Sequence, residues 1–269
     1  MNLVHKAEEI TALVQKVKEK GGSFFTNFFI DAEKIDYWLY NKRLYYQLTD
    51  FGVLFFRKNE SFYYLYYCAV SLENLKRLIT HDLPEDKLVV DIIGKIENIA
   101  NIVELFTVSG FKIYTQLHRF IRLNKDDSSY YEPSDEVTEA TLADAEEIAR
   151  LFRDNFDKLS EQVLNLDEVK KWITERKVFI IKDLAGIKGF LIRTTTGQTT
   201  ILNNFLVQKH YRGQKIGSKL LKHYIFKSTG VKRMLLWVVF DNDNAIEVYN
   251  KHGYIKDDLV DCILIKEHG

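Results

Sequence analysis

Residues 210–226 read HYRGQKIGSKLLKHYIF. A basic turn with two glycines runs directly into an apolar pattern of helical period. Gly213 and Gly217 lack a Cβ, so the backbone there can turn tightly and approach a ligand closely. A helix starting near Gly217 has first N–H groups with no partner inside it, at the positive end of its dipole. Arg212 and Lys215 add side-chain charge to the same turn. Such a turn is either an anion site or a well-capped helix start.

The flanking sequence bears on that choice. From Leu184 to Phe240 there is no Asp or Glu, while Lys188, Arg193, Lys209, Arg212, Lys215, Lys219, Lys222, Lys227, Lys232 and Arg233 all fall there. In a chain of net charge +0 this segregation points to an anionic partner. The plain alternative is a solvated basic helix face.

The 269 residues are enough for two domains, and 46% apolar residues are enough to fill their cores. The only cysteines, Cys68 and Cys262, lie in no CxxC and near no His cluster, so neither a disulfide framework nor a metal site is expected. Reduced cytoplasm is the expected compartment. The opening MNLVHKAEEI lacks the apolar run of a signal peptide, and no stretch reaches the roughly 18 apolar residues of a membrane span.

Apolar residues at helical spacing predict a helix over 3–20, closed by Gly21-Gly22. The Phe- and Tyr-dense region 24–67 reads as strands separated by turns. A helix at 71–79, a strand near 87–93, a helix ending at Gly110 and a strand at 111–123 follow. The polar stretch 124–134 is taken as the linker between domains 1–123 and 135–269. The second half repeats the cycle. It begins with a short strand and two helices, the first capped by Thr141 with Asp144. Three strands, antiparallel by their pattern, the quoted turn and helix, a strand, a helix from Asp243 and a closing strand complete it. Aligned on Gly110-Phe111 and Gly253-Tyr254, Asn101 meets Asn244, Glu104 meets Glu247 and Phe106 meets Tyr249, as an internal duplication would give.

Val207, Arg212, Gly213, Ile216 and Gly217 together resemble the acyl-CoA pyrophosphate loop of the GNAT acetyltransferase superfamily. Downstream, Asp241, Asn242, Ala245, Ile246, Tyr249, Lys251, Gly253 and Tyr254 resemble that family's next motif. The likeness covers about 135–269 and extends to the first half only as an echo. It implies an α+β (mixed α/β) fold of two GNAT-like domains, each a mixed, mostly antiparallel sheet flanked by helices. It implies an N-acetyltransferase using acetyl-CoA as co-substrate and a small primary amine as acceptor. The strands either side of the loop would splay, with the pantetheine arm against the edge of the strand that ends with Leu206 and Val207. The pyrophosphate would sit on the amides of Arg212, Gly213, Gln214, Lys215, Ile216, Gly217 and Ser218. Asn242 would face the pantetheine from the other side, and Ala245 shares a helix face with Tyr249. Lys215 departs from the family, which often has glycine there.

Tyr249 is the expected acid for the thiolate leaving group, and an amide near Leu206 or Val207 could polarise the thioester carbonyl. Its plain reading is a core aromatic. The strand before the loop carries Asn203 and Asn204 but no carboxylate. A base must then come from Asp154, Asp157 or Glu161, from Asp257, Asp258 or Asp261, from His210, or from water. The first half has no Arg-Gly turn, carries Phe106 in place of the tyrosine, and has Glu73 placed to satisfy the amides of its helix start. It is expected to bind no acyl-CoA. Its aromatic density fits a core, an interdomain face, a wall of the acceptor site or the face of a homodimer. Two competing readings are a non-catalytic acyl-CoA sensor and a nucleic-acid binder using 184–240. The first survives on the missing strand carboxylate; the second rests on the basic stretch alone, since a net charge of +0 does not point to nucleic acid.

Overall fold

The computed structural model describes residues 1–29, 32–80, 83–124, 131–161 and 163–267. Its elements are β1 (Asn2–Leu3), α1 (Ala7–Lys18), β2 (Phe25–Thr26), α2 (Ala32–Tyr40), β3 (Leu44–Leu48), β4 (Gly52–Lys58), β5 (Tyr63–Ala69), α3 (Leu72–Thr80), β6 (Leu88–Lys95), α4 (Ile96–Val108) and β7 (Lys112–Leu123) in the first half. The second half has β8 (Thr138–Glu139), α5 (Ala145–Asn155), α6 (Leu166–Thr174), β9 (Val178–Asp183), β10 (Gly186–Thr196), β11 (Thr199–Val207), α7 (Ile216–Lys227), β12 (Arg233–Val239), α8 (Asp243–Lys251) and β13 (Ile255–Lys266). This is the mixed α/β architecture expected.

Contacts divide the chain into unit 1, residues 1–116 with 259–269, and unit 2, residues 117–258. Unit 1 orders its strands β1-β3-β4-β5-β6-β13, with β2 added to β5. The β5–β6 pair is parallel and the others are antiparallel. Alternation along β6 puts Leu88, Val90 and Ile92 on one face. They pack with Leu75, Leu78 and Ile79 of α3, spaced i, i+3, i+4, and with Ile99 and Phe106 of α4.

Unit 2 orders its strands β7-β12-β11-β10-β9-β8, antiparallel except for β11–β12. Leu220, Leu221, Tyr224 and Ile225 of α7 and Tyr249 of α8 share one apolar cluster with Leu202, Met234 and Leu236. Ile148 and Phe152 of α5 and Val169 and Ile173 of α6 share another with Ile180, Phe190, Ile192 and Leu206. Before α5, Thr141 and Asp144 form the expected capping box, with the Thr141 N–H donating to Asp144 Oδ2 at 2.8 Å.

The sequence repeat and the packing units do not share a boundary. The first repeat ends with β7, yet residues 117–123 of that strand pair with β12 of unit 2. The second ends with β13, yet residues 259–266 pair with β6 of unit 1. Of the stretch 124–134 taken as a linker, 125–130 lie outside the described residues. The closing strand begins at Ile255, earlier than its apolar run suggests.

Candidate functional site

β11 and β12 pair in parallel only from Thr199–Arg233 to Leu202–Leu236, although both strands continue to Val207 and Val239. A register shift against β10 falls beside Asn203, where β11 leaves its partner. The edge of β11 from Asn203 to Val207 is therefore not covered by β12. On this stretch Phe205 lies 6.3 Å, centroid to centroid, from Tyr249. Leu206 belongs instead to the cluster that holds Phe156, Val163 and Leu164 of the α5–α6 connection. The split strand thus has α8 on one face and that connection on the other.

Beyond Val207 a single 3-10 turn, Lys209–Tyr211, leads to the quoted loop. Gly213 takes φ +79 and Lys215 takes φ +62, so two left-handed residues turn the chain into α7. Glycine adopts this conformation freely, whereas Lys215 holds it with a side chain attached. Among the described residues, no backbone N–H from Gly213 to Ser218 has a protein acceptor. These consecutive amides, at the start of a 12-residue helix, are the feature that an anion would satisfy. Arg212 and Lys215 are exposed and form no ion pair among the described residues, whereas Lys188 and Lys219 pair with Asp183 and Glu136. The Arg212 Nε donates to the Val207 carbonyl at 3.2 Å, and Gln214 Nε2 to the His210 carbonyl at 3.3 Å.

Gly217 has a different role from Gly213. A Cβ there would stand 3.2 Å from Phe205 Cζ and 3.3 Å from Val207 Cγ2. Its bareness lets α7 start close against β11, with Ile216 buried beside it. At Gly213 an added Cβ meets nothing within 4 Å, so only the dihedral matters.

Ser218 and Asn242 are already engaged. Ser218 Oγ lies 3.3 Å from His252 Nε2, while His252 Nδ1 lies 2.8 Å from the Val248 carbonyl. The carbonyl can only accept, so Nδ1 carries the proton and Nε2 accepts from the serine. This links the first turn of α7 to the end of α8. Asn242 caps α8, its Oδ1 accepting from Ala245 N at 3.3 Å. Tyr249 is 5% exposed. Burial, then the charge of Glu161, raises its pKa, so the hydroxyl stays protonated.

The candidate bases separate sharply. Asp154 is exposed at the end of α5. Asp157 is spent on its own turn, accepting from Leu159 N at 3.1 Å and Ser160 Oγ at 2.6 Å. Asp257 pairs with Arg119 at 2.6 Å, and Asp261 belongs to unit 1. His210 is exposed, its ring against Tyr211 at 4.2 Å. Glu161 is half-buried, held by Asp157 N at 2.9 Å, and burial raises its carboxyl above the ordinary range.

Residues 141–254 match the model of the Acetyltransferase (GNAT) family. That segment is a GNAT domain. No curated protein matches the chain. Among solved structures, a Drosophila protein is 15% identical, with 98% of each chain covered and a TM-score of 0.59. A GCN5-related N-acetyltransferase from Sphaerobacter thermophilus is 13% identical, covering 96% of this chain and 91% of its own, with a TM-score of 0.58. A GNAT-family acetyltransferase from Colwellia psychrerythraea is 12% identical, with 99% and 98% covered and a TM-score of 0.58. At such identities the likeness is one of fold, and it extends over nearly the whole chain. The GNAT fold is that of acyl-CoA-dependent acetyltransferases in general. No helix among the described residues is long and apolar enough to cross a membrane.

Proposed function

We propose that this chain transfers an acetyl group from acetyl-CoA to the primary amine of a small molecule. The observation that carries the reading is the run of unpartnered amides from Gly213 to Ser218, at the end of a strand whose other edge is uncovered. Amides, helix dipole, Arg212 and Lys215 suit a pyrophosphate. The edge of β11 from Asn203 to Val207 suits the amides of a pantetheine arm, which would add to it as a strand adds. An N–H of that edge would meet the oxyanion that forms on the thioester carbonyl.

Glu161 is the base in this reading. A primary amine is protonated at neutral pH and must lose a proton before attack. A carboxylate with a raised pKa is a better acceptor for that proton than an exposed one. Glu161 sits on the α5–α6 connection, near enough to Tyr249 for its charge, after burial, to raise the tyrosine's pKa. The neutral amine then attacks the carbonyl carbon, the C–S bond breaks with its electron pair leaving on sulfur, and the proton lost by the new amide nitrogen ends on the thiolate through solvent. Tyr249, kept protonated by burial, donates a hydrogen bond to that sulfur. Complete proton transfer is uphill for so weak an acid, so its contribution belongs at the low end of the range for acid catalysis.

Titration calorimetry with acetyl-CoA, followed by thiol release across a panel of small amines, tests the reading. Binding with thiol release supports it. Binding without release for any amine favours an acyl-CoA sensor, and stabilisation by an oligonucleotide but not by acetyl-CoA would overturn both.

A further inference from the structure

Unit 1 repeats the strand split of unit 2. β5 and β6 pair in parallel only at Tyr63–Leu88 and Tyr64–Val89, although they run on to Ala69 and Lys95. In unit 1 a segment of the same chain stands in the split. Phe25 and Thr26 pair antiparallel with Ala69 and Cys68. The next residue, Asn27, reaches both strand edges with one side chain. Its Nδ2 donates to the Leu65 carbonyl at 3.1 Å and to the Asp91 carbonyl of β6 at 3.1 Å. Its Oδ1 accepts from Tyr67 N at 2.8 Å.

A carboxamide carries the same donors and acceptor as a peptide group, so it satisfies edge groups that a neighbouring strand would otherwise take. The segment is fixed at both ends. Gly22, at φ +104, lies so close to Val70 that a Cβ would fall 2.6 Å from its carbonyl oxygen. Phe28 stacks on Phe55 at 4.6 Å and meets Tyr66 edge-on at 5.3 Å, and its N–H donates to Thr26 Oγ1 at 3.0 Å.

The helix after β5 also differs from α7. Ser71 leads straight into α3, its Oγ accepting from Asn74 N at 3.0 Å and its carbonyl from Leu75 N at 3.0 Å. The sequence suggests Glu73 for this capping role, but Glu73 pairs with Arg77 at 3.0 Å instead. Ser71 therefore takes up one of the amides at that helix start, the Asn74 N–H, and the glycine turn of residues 213–217 has no counterpart there.

We infer that residues 25–28 are a built-in peptide occupant of the unit 1 groove, in the position that acyl-CoA takes in unit 2. The chain accordingly binds one acyl-CoA, not two. The stoichiometry rests on the reading of unit 2 given above; the occupancy of the split by residues 25–28 does not.

Two measurements on the full chain test this. In the first, calorimetry with acetyl-CoA is combined with hydrogen exchange. One site is expected, with exchange slowed at 203–207 and unchanged at 63–69. Two sites, or slowing at 63–69, would overturn the inference. In the second, Asn27→Leu removes all three hydrogen bonds at similar size. The Tyr67 amide should then exchange about tenfold faster or more, as expected when a buried bond is lost. An unchanged Tyr67 amide would overturn the inference whether or not acetyl-CoA binds. If Asn27→Leu fails to fold, Asn27→Asp keeps the acceptor for Tyr67 N and loses the two donors. It should then speed exchange around 89–92 while sparing Tyr67, and an unchanged pattern there counts against the inference. Absence of acetyl-CoA binding anywhere sinks the reading of unit 2 and leaves the Asn27 measurement to decide occupancy.

Discussion

Tyr249 and Phe106 stand at the same point of the same helix ending. Tyr249 O accepts from Tyr254 N at 3.1 Å, and Phe106 O accepts from Phe111 N at 3.1 Å. Gly253 and Gly110 turn the chain between them at φ +79 and φ +93. The rings follow suit, edge to face, with centroids 5.9 Å apart for Tyr249–Tyr254 and 5.0 Å apart for Phe106–Phe111. Each helix follows a strand whose parallel partner splits away. The shared ending supports the duplication suggested by the sequence, with a hydroxyl kept in one copy and missing from the other.

Tyr249→Phe isolates that hydroxyl. The ring fills the same buried volume, so acetyl-CoA affinity should stay within about twofold. Turnover should fall by roughly tenfold to a hundredfold, since only a transition-state interaction is lost. Steady-state kinetics with an accepted amine checks the split between kcat and KM. Unchanged kcat would make Tyr249 a packing residue.

The quoted turn contains two glycines with different duties, and substitutions should separate them. Gly217→Ala forces Phe205 and Val207 aside. It should cost about 1–3 kcal/mol of stability by overpacking and weaken acetyl-CoA binding by displacing the start of α7. Lys215→Gly should behave oppositely. The left-handed strain of about 1 kcal/mol disappears, so melting temperature should hold or rise. Acetyl-CoA should bind a few-fold more weakly at low salt, with the deficit shrinking at high salt. Melting curves and calorimetry at two ionic strengths check both.

Much of this was legible in the sequence, and the failures have physical reasons. The turn at 210–217 carries its conformation in local residue types, so its place between strand and helix could be read directly. The helix α2 was hidden because Ile35, Trp38 and Leu39 lie inside a region whose aromatic density favours strands. β2 and Asn27 were invisible because their partners lie 38 to 64 residues away. The destinations of β7 and β13 could not be read either. Each is a long apolar strand after a helix, and only tertiary pairing decides which sheet its second half joins.

That pairing predicts how the chain can be cut. The fragment 135–269 follows the sequence repeat, but it removes the 117–123 partner of β12 and leaves 259–266 without β6. It should aggregate or give no cooperative melting transition, whereas the full chain melts cooperatively. A well-folded, monomeric 135–269 would show that the shared strands are dispensable.

Unit 1 carries a pH dependence of its own. Asp91 pairs with Ile263 and Asp261 with Ile93, so the two carboxylates are diagonal neighbours on one sheet face. Each has a buried Oδ1 without a hydrogen-bond partner. Burial raises both pKa values, and the charge of Asp91 raises that of Asp261 further. The folded state therefore holds these protons more tightly than the unfolded chain. The stability they contribute is complete below the ordinary carboxylate pKa and is lost as pH rises through the raised values. Asp261→Asn should raise the melting temperature at neutral pH by several degrees, about 3–6 °C, and change it little at about pH 4. A shift of equal size at both pH values would point to packing instead.

Glu161→Gln tests the base. Its raised pKa means that wild-type kcat/KM should climb as pH rises through that value, the carboxylate being the active form. The glutamine keeps the acceptor for Asp157 N and the shape of the turn, so folding and acetyl-CoA affinity should survive. It cannot take a proton. Turnover should fall by about 10²–10³-fold at neutral pH, and the remaining rate should follow the amine's own ionisation. The tyrosine offers an independent reading. The Glu161 charge helps raise the Tyr249 pKa, so removing it should lower that value, measurable by ultraviolet titration. If the tyrosine shifts and the rate does not, Glu161 is a neighbour of the site and water carries the proton.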